Sequence, residues 1–112
     1  MKEPVNRDEI VEFIKKEFPY VKFIIGKLYD KDTILIQLNQ KEKIVIYPSQ
    51  MNEDYNGNGK YTVGYWYENN SDSHYGHGGG METWEELKRW FSDDLKRCNV
   101  IPTDTQLSIF DL

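Results

Sequence analysis

The run Ser73-His74-Tyr75-Gly76-His77-Gly78-Gly79-Gly80 sets two imidazoles three positions apart, with Asp72 and Glu82 close by. Two imidazoles and a carboxylate are a donor set that a divalent transition metal accepts. Structural zinc takes four ligands, however, and no thiolate stands near His74 and His77 in the chain. The better reading of the same run is therefore a solvated loop, and no metal is expected. The single cysteine, Cys98, continues the apolar face of a helical stretch near the end of the chain, where a thiol behaves as a small hydrophobe rather than as a nucleophile. No glycine-rich phosphate loop and no paired-carboxylate signature accompanies it, so the chain reads as a non-enzyme without a cofactor.

Aromatic residues offer a second kind of chemistry. Tyr61, Tyr65, Trp66, Tyr67 and Tyr75 could build a stacking platform for single-stranded nucleic acid or an anchor surface for a protein, although aromatics in strands ordinarily serve packing. Within this set Tyr65, Trp66 and Tyr67 are the candidate protein-binding face. Charge decides between the two ligands. Lys and Arg number 14 against 19 Asp and Glu, a formal charge of −5, which opposes a broad contact with a polyphosphate backbone. Direct nucleic-acid binding is disfavoured. The carboxylates Glu53, Asp54, Glu68, Asp93 and Asp94 are spread along the chain, as on a mixed solvated surface rather than on a mimic of DNA.

These side chains must be positioned by a small scaffold. At 112 residues, with 38% hydrophobic content, the chain is long enough for one core and too short for two. Residues 5 to 18 carry Ile10, Phe13, Ile14 and Phe18 near the helical period, opened by an Asn6–Glu9 capping box and stopped by Pro19. KFIIGKLYD, TILIQLN and KIVIYPS then read as strands separated by polar reversals. MNEDYNGNGK carries two Asn-Gly pairs and reads as a turn into a fourth strand, KYTVGYWYE, with Tyr61, Val63, Tyr65 and Tyr67 on one face and Thr62, Gly64 and Trp66 on the other. Asn69 to Gly80 has too little apolar surface to order itself and reads as a mobile loop. Thr83 and Glu86 open a second helix through about residue 98, with Trp84, Leu87, Phe91, Leu95 and Cys98 on its apolar face. The expectation is an α+β domain over residues 1–98: helix, four-stranded antiparallel meander, helix.

Residues 99–112 read as a tether and an extended tail. Pro102 biases Ile101 towards extended geometry, and Thr103, Asp104 and Thr105 are poor helix formers. The tail ends in Gln106-Leu107-Ser108-Ile109-Phe110-Asp111-Leu112, apolar where chain ends are ordinarily polar. The first five of these residues resemble the sliding-clamp-binding motif of bacterial DNA polymerases, mismatch-repair proteins and other replication factors: glutamine, leucine, serine or aspartate, leucine, phenylalanine. Four positions match, and Ile109 stands where leucine is common. The eukaryotic clamp box fits less well, since Leu112 stands where its first aromatic belongs.

The resemblance implies that Gln106 orients the peptide by hydrogen bonds while Leu107, Ile109 and Phe110 fill an apolar pocket on the clamp, with Ser108 between them. Ordering a flexible peptide offsets much of the burial gained, so micromolar affinity, about −8 kcal/mol, is the ceiling for the tail alone. It further implies a small accessory or inhibitor protein, of the kind found in phages and other mobile elements, whose partner is the bacterial DNA sliding clamp. The alternative is a stand-alone protein-binding module, such as an immunity protein or host-defence antagonist, that uses its aromatic sheet face and packs the tail on its own core. No apolar run is long enough for a membrane span and the first residues lack the apolar core of a signal peptide, so a cytoplasmic protein is expected.

Overall fold

The structure, a computed structural model, describes residues 1–53, 55–57, 59–71 and 74–100. Both expected helices form where their end signals place them. Helix α1 spans Arg7–Glu17; Asn6 Oδ1 accepts from the Glu9 amide at 2.9 Å, acidic Asp8 and Glu9 occupy the first turn, and Lys15 and Lys16 the last. Helix α2 spans Trp84–Arg97; its N-cap Thr83 Oγ1 accepts from the Glu86 amide at 3.0 Å, while Glu86 Oε1 accepts at 2.8 Å from the amide of Glu82, one residue before the cap. It closes on Asn99, at φ 60°, with the Asn99 amide returning to Lys96 O and the Val100 amide to Leu95 O. That pair of bonds satisfies carbonyls the helix end would otherwise leave open.

Between the helices lies a five-stranded antiparallel sheet in sequential order: β1 (Ile24–Leu28), β2 (Lys31–Gln37), β3 (Glu42–Glu53), β4 (Gly59–Asn69) and β5 (Tyr75–Met81). Tyr29 and Asp30, both at positive φ, make the two-residue reversal between Leu28 and Lys31. Register between β3 and β4 shifts at Tyr47/Ser49, around Pro48, which has no amide hydrogen to contribute to the ladder. Past that bulge β3 runs on to Glu53, so part of the segment expected to be turn is strand.

The larger correction is β5. The Asn69–Gly80 run, expected to be a mobile loop, supplies a fifth strand, paired to β4 from Asn69↔Tyr75 to Val63↔Met81. Its glycines are required by a close approach. Gly76 and Gly78 lie against the Trp66 indole, and a Cβ on Gly78 would stand 2.0 Å from the Tyr65 carbonyl oxygen. A residue with a side chain there could not pair, so the composition that looks like a loop is what lets the strand form.

Strand alternation then sorts the sheet into two faces. Ile34, Ile36, Ile44, Ile46, Val63, Tyr65 and Tyr67 face inward and are buried with Ile10 and Ile14 of α1 and Leu87, Phe91 and Leu95 of α2. The opposite face carries a row of Ile24, Leu35, Val45, Trp66 and Gly78 across all five strands, read from the register. Both helices share the first face, giving two layers. Among the described residues no helix is long and apolar enough to cross a membrane.

Candidate functional site

Where β5 meets α2, a polar network is set into the apolar layer. Asp94 is 1% exposed, one helical turn beyond Phe91 on the buried side of α2. A carboxylate in that position needs donors, and the structure provides three. The Tyr65 hydroxyl donates to Oδ2. His77 Nε2 lies 2.9 Å from Oδ1, and Arg97 reaches the same oxygen at 2.6 Å. Burial, then the Asp94 hydrogen bond and charge, push the Tyr65 phenol far above its ordinary value, so it stays protonated and remains a donor.

His77 is oriented on both sides of its ring. Its imidazole stacks on Tyr67 at 4.7 Å between centroids and lies 5.6 Å from Trp90. With Nε2 turned to the Asp94 carboxylate, hydrogen-bond logic assigns the proton of the neutral imidazole to Nε2 and leaves Nδ1 as an acceptor. The Tyr75 hydroxyl meets Nδ1 at 2.8 Å. Tyr75 and His77 come two apart on β5, so one strand face presents both. A cleft of about 280 Å³ opens beside the network, lined by His77, Arg89, Trp90, Asp93, Asp94 and Arg97.

A second carboxylate backs the first. Glu42 accepts from the Tyr67 hydroxyl and, at 3.1 Å, from the Cys98 thiol, while the Arg97 guanidinium lies 4.5 Å above the Tyr67 ring. The Tyr67 hydrogen bond first, with those of Asn39 and Cys98, holds the Glu42 carboxyl below its ordinary range. Burial and the neighbouring Glu42 push the Cys98 thiol up to about 11, which makes it a poor nucleophile.

The structure places the residues singled out from the sequence as follows. Tyr65 and Tyr67 are buried, with their hydroxyls spent on Asp94 and Glu42, while Trp66 alone of the three faces outward. The trio therefore makes no common binding face, because adjacent strand residues point to opposite sides. His74 sits in the turn before β5 at φ 44°, its amide donating to Ser71 O at 3.0 Å, while His77 belongs to the Asp94 network. Asp72, a proposed companion of these histidines, lies outside the described residues. Among the described residues no group of three or more His, Cys, Asp or Glu could hold a metal ion. Gln106, Leu107, Ser108, Ile109 and Phe110 also lie outside the described residues.

Asp94, Glu42 and Arg97 were not legible as a group, since α2 supplies two members and a distant strand the third. One signal did exist. Asp94 stands seven after Leu87 and three after Phe91, on the apolar stripe, where an unpartnered carboxylate would be costly. A second groove, of about 590 Å³ around the bulge at Tyr47, Pro48 and Ser49, is lined by none of the residues of this network.

Fold and network together define a class: a two-layer α+β domain whose glycine-rich edge strand is tied to its last helix through a buried carboxylate. No family model, no curated protein and no solved structure matches the chain.

Proposed function

We propose that the chain is a small non-enzymatic accessory or inhibitor protein, of phage or mobile-element kind, that docks on the bacterial DNA sliding clamp through Gln106, Leu107, Ser108, Ile109 and Phe110. The sequence of that peptide carries the reading. The fold supports it in one respect. Helix α2 ends on a satisfied cap at Asn99 and Val100, so the peptide follows an element already closed. Gln106 supplies an amide that both donates and accepts, and the three apolar side chains supply the surface removed from water. Such a protein works in the cytoplasm, beside the clamp.

Calorimetric titration of the full chain into purified clamp tests the proposal. Wild-type binding is expected in the micromolar range. Gln106→Ala weakens it about tenfold, the value of one hydrogen-bonded anchor, and replacing Ile109 and Phe110 with alanine removes it while the thermal unfolding curve stays the same. Loss of cooperative unfolding in the double variant would return the tail to the domain core and end the clamp reading.

One observation favours a second reading, a protein-binding module that uses the open sheet face. The row of Ile24, Leu35, Val45 and Trp66 is apolar, Ile24 and Trp66 are exposed, and the two helices pack on the opposite side. Trp66→Ala separates the two. Clamp binding by the wild-type chain that Trp66→Ala leaves unchanged supports the tail reading, whereas no clamp binding by the wild-type chain, with the tail needed for stability, supports this one.

A further inference from the structure

We propose that Tyr75 is an activated oxygen nucleophile and a site of covalent modification by tetrahedral phosphoryl or sulfonyl electrophiles, with His77 as its base and Asp94 as the group that orients that base. The clamp proposal neither uses nor requires this site.

Three features of the geometry carry the inference. With the His77 proton on Nε2, the Tyr75 hydroxyl donates along a 2.8 Å contact to His77 Nδ1, so the proton that must leave already has an acceptor. The acceptor cannot turn away, because its ring is held against Tyr67 and Trp90 and its other nitrogen is bonded to buried Asp94. Asp94 in turn is fixed by Tyr65 and Arg97. A nucleophile bonded to a base that a third group orients is the arrangement by which hydroxyls are activated. Tyr75 itself is 53% exposed, so an electrophile can reach its oxygen.

Tyr75 is set apart from the other tyrosines by its neighbours rather than by its exposure. Tyr65 and Tyr67 spend their hydroxyls on carboxylates in the interior. Tyr29 is 89% exposed and Tyr55 is fully exposed, yet neither has an imidazole beside it. In the reaction with an arylsulfonyl fluoride, a bond forms between Tyr75 Oη and sulfur and the sulfur–fluorine bond breaks. Fluoride leaves with the electron pair, and the phenolic proton passes to His77 Nδ1. The resulting imidazolium faces the Asp94 carboxylate until solvent takes the proton.

The experiment treats the full-length chain with a limiting amount of arylsulfonyl fluoride at neutral pH and follows intact mass and peptide maps over time. Tyr75 is expected to be modified first, on the order of 100-fold faster than Tyr29 and Tyr55, the lower end of what a positioned base contributes. His77→Gln and Asp94→Asn should bring Tyr75 down to the rate of those two residues, with circular dichroism confirming that each variant remains folded. The wild-type order decides the matter even if a variant unfolds. Modification that follows exposure, with Tyr55 and Tyr29 ahead of Tyr75, overturns the proposal, as does modification of His77 in place of Tyr75.

Discussion

Asp94 answers for Tyr65, His77 and Arg97 at once, and its removal is correspondingly costly. Asp94→Ala leaves a buried hydroxyl and a half-buried imidazole without their acceptor, and should lower unfolding free energy by about 3 kcal/mol, read from the midpoint of urea denaturation. Cys98 gives a pH signature. Its thiol titrates at about 11 in the fold against 9.0 ordinarily, so the stability it contributes is present below 9.0 and is lost as pH rises from 9.0 through about 11. Cys98→Ala should flatten that alkaline decline, and native Cys98 should resist iodoacetamide at neutral pH while the urea-unfolded chain reacts. Glu42 acts in the other direction: its carboxyl is depressed, so its contribution is present above 4.5 and disappears as pH falls below that value. Glu42→Gln should weaken the acid-side decline in the same denaturation series. At this scale the sequence was partly readable. The period of α2 placed Cys98 against the domain, but no pattern in a single chain announces that Glu42, 56 residues earlier, will meet it.

At the scale of elements, end signals proved more informative than composition. Asn6 with Glu9 and Thr83 with Glu86 marked both helix starts because each cap is local chemistry, complete within one turn. Strand β5 was hidden because its glycines answer to a neighbour on another strand. Gly78 and Gly79 make the contrast testable. A Cβ at Gly78 meets the Tyr65 carbonyl at 2.0 Å, whereas at Gly79 nothing lies within 4 Å. Gly78→Ala should cost about 1–3 kcal/mol and speed amide exchange along Tyr75–Met81, because it forces β5 off β4 and pulls His77 from Asp94. Gly79→Ala should be neutral or stabilise by about 0.4–1 kcal/mol through the unfolded chain. Equal effects at the two positions would mean that β5 does not approach β4 as closely as these distances require.

For the molecule as a whole, one core and a helix-covered antiparallel sheet followed from length and alternation, since an amphipathic helix and a half-buried strand each need the other. Sequence could not settle which surface the last apolar residues use, because Leu107, Ile109 and Phe110 suit a groove on a partner and an open sheet face equally well. Ending the chain at Val100 makes that choice measurable. The cap of α2 and the packing of Val100 against the core both fall within the shortened chain. If the tail serves a partner, the shortened protein should unfold within ~2 °C of the full chain with the same denaturant slope, since no additional surface is exposed. Its Trp66 emission should be unchanged, and its binding to the clamp should vanish. If instead the tail lies over Ile24, Leu35, Val45 and Trp66, each apolar side chain lost removes about 1.5–3 kcal/mol. The melting point then falls and the Trp66 emission shifts to the red, as the indole over Gly76 and Gly78 meets water.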